Sequence, residues 1–163
     1  MSTLTREVTG IFSGSELERY FNDAVAEAPP DAALYLQVNL YAHKRFPNDL
    51  VFVRNLLSAY QRNGTMDMAA YTWLLRNYWF YDPQLKAEFF AQLSSRNQLT
   101  AEMDSVRKAS NNPAGQRFLA EGEAWQSHFE AAAPFFRTVA EEFPGDRELN
   151  GRASSVYLSL IHI

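Results

Sequence analysis

Six of the seven prolines, with Gly64 and Gly145, stand at a handful of breakpoints, and that spacing limits what this chain can become. The breakpoints are Pro29-Pro30, Phe46-Pro47-Asn48-Asp49, Asn63-Gly64, Tyr81-Asp82-Pro83, Asn111-Asn112-Pro113 and Phe143-Pro144-Gly145-Asp146. Glycine interrupts regular structure through its freedom at positive φ, proline through its missing amide. Between them lie segments of helical length. Over 50–61, Val53, Leu56, Leu57 and Tyr60 recur at spacings of three and four, the period of one helix face rather than the alternation of a half-buried strand. Segments 15–28, 31–45, 66–80, 84–95, 100–110 and 114–142 read the same way, rich in Ala, Leu, Glu, Gln and Arg. Capping residues open several of them: Ser15 or Ser13, Asp31, Thr65 ahead of Met66-Asp67, and Asp82-Pro83. Connections this short predict that consecutive helices pack antiparallel. The expected fold class is all-α, a row of helical hairpins.

With 163 residues, 47% hydrophobic and 14% aromatic, the chain can bury a core. Its net charge of −4 comes from 15 basic and 19 acidic residues spread along the length, without the basic stripe that binds phosphates by counterion release, so no nucleic-acid partner is expected. The absence of cysteine removes disulfides, thiolate nucleophiles and cysteine zinc sites, leaving His43, His128 and His162 as soft ligands. No His-Glu-x-x-His spacing joins them, and neither a metal nor another cofactor is expected. Met1 opens no basic-then-apolar leader, and no uncharged apolar run approaches the roughly 18 residues that span a bilayer. The chain therefore reads as cytoplasmic, with no membrane partner. The last six residues, Leu158-Ser159-Leu160-Ile161-His162-Ile163, are what CTG-TCT-CTT-ATA-CAC-ATC, a transposon-end adapter of sequencing libraries, encodes. Residues 158–163 are accordingly expected to be a non-native tail, with the natural chain continuing past Tyr157.

Self-similarity separates a repeat stack from an ordinary bundle. Arg62-Asn63 recurs as Arg96-Asn97, an offset of 34, and Phe46 falls on Phe80 at the same shift. Phe143-Pro144-Gly145-Asp146 repeats Phe46-Pro47-Asn48-Asp49, and each proline is followed thirteen residues on by a tyrosine, Tyr60 or Tyr157. The stretch 113–146 resembles a tetratricopeptide (TPR) unit. Leu119-Ala120 match the first helix's Leu-small pair, Phe129 and Ala132 the second helix, Phe136 its aromatic position and Pro144 the closing proline. A second partial match, 50–83, runs through Leu56, Tyr60, Ala69 and Trp73. Ala69 and Ala132 are expected where two helices approach closely. Gln116 and Glu123 depart from the family's large aromatics, the unit from Gln84 is weak, and Pro134 predicts a kink near Ala131 or a helix restart. The resemblance implies a right-handed α-solenoid of about four antiparallel hairpins over a single domain, 1–157.

TPR proteins line a concave groove with their first helices. Carried onto this chain, the resemblance places Arg54, Ser58 and Gln61, then Glu88 and Gln92, then Arg117 and Glu121 on that groove. It implies a non-enzymatic scaffold that binds a peptide or partner protein. Arg54-Asn55 supplies only a fragment of the family's carboxylate clamp. Within Tyr71–Tyr81, Trp73, Asn77 and Phe80 share one face and are expected to pack between hairpins, leaving Tyr78, Trp79 and Tyr81 for a second surface. If exposed, these are the expected partner anchors, Trp79 and Tyr81 foremost. The alternative is a ligand-binding or enzymatic domain with an aromatic pocket around Tyr71–Tyr81. A third reading is self-association through exposed terminal repeat faces. The pairs Glu16/Glu18, Glu121/Glu123 and Glu141/Glu142 point apart on a helix and are expected on solvated faces. Ser13 in Gly10-Ile11-Phe12-Ser13-Gly14 is out of register for a nucleophile elbow. His43 and His128 read as surface or capping residues, and Asn63-Gly64-Thr65 as a turn.

Overall fold

The computed structural model describes residues 32–62, 67–109 and 112–161, and among these it is all-helical. In chain order the helices are α1 (Ala32–Arg45), α2 (Leu50–Arg62), α3 (Met68–Tyr78), α4 (Pro83–Ser95), α5 (Leu99–Ala109), α6 (Pro113–Trp125), α7 (Phe129–Glu142) and α8 (Arg147–Ile161), with a 3-10 turn at Trp79–Tyr81 between α3 and α4. The chain divides into two compact units, Met1–Lys86 and Ala87–Ile163. The expected helix 15–28 and the caps Ser13, Ser15, Asp31 and Thr65 lie outside the described residues.

The even-numbered helices share one construction. They open at Leu50, Pro83, Pro113 and Arg147, which are 33, 30 and 34 residues apart, and the first three are each 13 residues long. An Asx side chain stands before each and accepts first-turn amides that would otherwise be unpaired. Asp49 accepts from Val51, Asp82 from Gln84 and Leu85, Asn112 from Gly115, and Asp146 from Leu149. Pro83 and Pro113 occupy first-turn positions, where no amide bond is lost.

The repeated Phe-Pro-x-Asp sequence makes the same turn twice. Phe46 N–H donates to Ala42 O and Asp49 N–H to Phe46 O. Phe143 N–H likewise donates to Val139 O, and Asp146 N–H to Phe143 O. The exits of α4 and α6 also agree. Gln98 N–H reaches back five residues to Leu93 O while Asn97 bonds Ser94 O, and His128 reaches Glu123 O while Ser127 bonds Ala124 O. Asn97 (φ 56°) and Ser127 (φ 62°) take the left-handed conformation this closure requires. Sequence reading ran 114–142 as one segment because Gln126-Ser127-His128 contains neither proline nor glycine. The chain breaks there all the same.

Three further differences follow from local chemistry. Asp67 caps α3 by accepting from the amides of Ala69 and Ala70, so the helix starts at Met68. Pro134 neither breaks nor restarts α7, which is continuous from Phe129 to Glu142 with Pro134 on its exposed side. A further helix, α8, follows Asp146 and reaches Ile161, into the segment expected to be a tail.

In the first unit, Ala42 and Phe52 form a core with Val38, Tyr41 and Phe46 around them, joining α1 to α2. Val53, Leu56 and Leu57 are buried as their period predicts. In the second unit, Ala120, Ala124, Ala132, Ala133, Phe136, Val139, Leu149, Ala153 and Val156 make one core across α6, α7 and α8. Alanines at this junction let the helices approach closely while Phe136 fills the space left. Helix α5 lies against α6 at Gly122, where an added Cβ would sit 2.8 Å from Met103 Sδ.

Candidate partner-binding surface

Most positions expected on the groove are engaged in holding helices together. On α2, Arg54 pairs with Asp82, the residue that caps α4. On α6, Arg117 Nη1 lies 3.4 Å from Asp146 Oδ2, the cap of α8. Each arginine thus braces the start of the helix two elements on. Burial pushes the Asp82 carboxyl up, but the amides of Leu85 and Gln84 together with the Arg54 guanidinium hold it below the usual carboxylate value. Gln61 donates from Nε2 to Tyr71 OH at 2.9 Å. Ser58, Glu88 and Gln92 are half-buried.

Glu121 and Glu123 do not face solvent. Glu121 is only 3% exposed and accepts from Arg152 Nη2 of α8 at 3.2 Å. Glu123 is 6% exposed; one of its oxygens pairs with Arg107 of α5, and the other lies 3.1 Å from Nδ1 of His128, the residue preceding α7. Burying a carboxylate is costly unless it is paired, and these two carboxylates meet partners from three neighbouring elements. Arginines 16 and 31 residues away in the chain leave no local sequence signal for such burial.

The aromatic stretch divides differently from expectation. Tyr71, Leu74, Leu75 and Trp79 form the buried side, and Trp79, expected as an exposed anchor, is 6% exposed. Trp73, expected between hairpins, is 56% exposed, and Asn77 and Ala69 beside it are also exposed. Asn77 Nδ2 donates to the backbone carbonyl of Trp73, one turn back, at 2.7 Å. Tyr81 is 59% exposed, with its ring centroid 4.0 Å from that of half-buried Phe80. Tyr78 is tied inward: its hydroxyl donates to Pro47 O at 3.0 Å and lies 3.4 Å from His43 Nε2, with the two rings edge-on. Burial lowers the His43 pKa, and burial together with neighbouring Tyr81 raises that of Tyr78.

Trp73, Asn77 and Tyr81 are thus exposed along α3 and the turn that follows it, opposite in burial to Tyr71, Leu74, Leu75 and Trp79. Exposed aromatic rings offer a large apolar area to a partner group. Elsewhere in the first unit, a hollow of about 510 Å³ runs along α1 beside Gln37, Leu40, Tyr41, Lys44 and Arg45. A second of about 440 Å³ lies at Arg45, Phe46, Pro47, Asn48 and Asp49. Among the described residues no group of three or more His, Asp or Glu side chains is placed to hold a metal ion. No helix among them is long and apolar enough to cross a membrane. Compared with family models, curated proteins and solved structures, the chain matches none.

Proposed function

We propose that the chain is a non-catalytic protein-interaction scaffold of TPR-like helical hairpins, binding a peptide or partner protein, with Trp73 and Tyr81 as its anchors. The observation that carries this reading is the exposure of these two large aromatics, 56% and 59%, on α3 and the turn that follows it. Aromatic side chains of this kind dominate binding energy where they are fully desolvated by a partner. The hairpin reading draws support from the even-numbered helices, whose starts recur every 30–34 residues, each behind an Asx cap, with an Arg–Asp brace at two of them. Arg54, Arg117 and Glu121 act as internal fastenings in this account, and partner contact moves from them to α3.

Peptides selected against the whole chain from a displayed library test the proposal. Trp73→Ala combined with Tyr81→Ala should weaken the selected peptides by about tenfold or more. The melting temperature should hold, because both side chains are exposed. Unchanged affinity in this variant would count against α3 as the binding surface.

A further inference from the structure

Beyond α3, the first unit carries a second feature that the scaffold reading does not use. Helix α1 places Gln37, Leu40, Tyr41, Lys44 and Arg45 at spacings of three and four, with Tyr41 also packing against the Ala42–Phe52 core. They line the larger hollow, where Leu40 is 43% exposed and Tyr41 half-buried. Its last turn ends in two exposed cations, Lys44 and Arg45. Neither makes an ion pair among the described residues. Arg45 also lines the second hollow, so the two adjoin at its side chain.

We infer that the larger hollow takes an acidic peptide segment, seating an apolar side chain against Leu40 and Tyr41 and its carboxylates on Lys44 and Arg45. Charge complementarity selects the occupant. Two exposed cations at the rim favour a segment with paired Asp or Glu, and they reject a basic one by like-charge repulsion. The apolar floor adds what charge alone does not, a preference for a segment carrying Leu, Ile or Phe beside its acids.

The test titrates a fluorescein-labelled peptide of Glu-Glu-Leu repeats, and its Lys-Lys-Leu counterpart, into the full chain with anisotropy as readout. The acidic peptide should bind, more weakly as salt rises, and the basic peptide should not. Lys44→Glu with Arg45→Glu should weaken the acidic peptide about tenfold or more, and Leu40→Ala should weaken it less. Circular dichroism of each variant should match the parent, since all three positions are exposed. Trp73→Ala with Tyr81→Ala should bind it like the parent, which keeps this surface distinguishable from that on α3. Absence of acidic-peptide binding, equal binding of both peptides, or full binding by the charge-reversed variant would overturn the proposal. So would phosphatidylserine vesicles that bind through Lys44 and Arg45 while the acidic peptide does not.

Discussion

Asp82 shows how much one side chain can carry. Its carboxylate caps α4 through two backbone amides and receives Arg54 from α2. Loss of a cap costs about 1 kcal/mol, whereas a partly exposed ion pair contributes less, about 0.2–1 kcal/mol. Asp82→Ala should therefore destabilise more than Arg54→Ala, by about 2–4 °C in melting temperature for a chain of this size. The pH dependence has a definite sign. Because the folded carboxyl is depressed, its contribution is present above the ordinary aspartate pKa and is lost as pH falls through the lower, folded value. Thermal melts of wild type and Asp82→Asn should accordingly converge on acidification, and a gap that stays constant with pH would contradict this. At this scale the sequence showed Asp82-Pro83 plainly, because capping is local. It did not show that Trp73 is outward and Trp79 inward. Aromatic and aliphatic residues surround α3 on nearly every side, so periodicity alone leaves its buried face ambiguous, and the 3-10 turn after Tyr78 resets the register.

Among the elements, the informative features are how helices end and how closely they meet. Asn97 and Ser127 close α4 and α6 in the same left-handed conformation. Asn tolerates it and Ser does so less well; in the sequence Arg96-Asn97 stood out only as a recurrence of Arg62-Asn63, and Ser127 did not stand out at all. Ser127→Gly should stabilise the protein by about 0.5–1 kcal/mol, measured by urea unfolding. A loss of stability would show that the serine side chain matters more than its backbone strain. Gly122 makes the opposite case. Alanine there gains about 1 kcal/mol of helix propensity but drives its methyl group into Met103, which is 1% exposed and has little room to move. Overpacking costs about 1–3 kcal/mol, so Gly122→Ala should destabilise by about 1 kcal/mol net. Increased stability would mean that α5 yields readily.

For the whole molecule, the helical class and the Phe-Pro-x-Asp turns were legible in advance, since both rest on short-range chemistry. The buried ion pairs were not, because Glu121 and Glu123 meet arginines brought to them by tertiary packing. The Arg–Asp braces were half legible: the TPR resemblance placed Arg54 and Arg117 on a groove, while of their partners Asp82 was read as a cap and Asp146 only as part of a breakpoint. Each compact unit contains one such brace, built from an even-numbered helix and the cap of the next. Under the proposed hairpin reading these are two copies of one contact. Double-mutant cycles on Arg54/Asp82 and Arg117/Asp146, followed by urea unfolding, test this most directly. Both cycles should return a favourable coupling of about 0.5–1 kcal/mol. No coupling in either pair, or couplings of opposite sign, would contradict a shared construction.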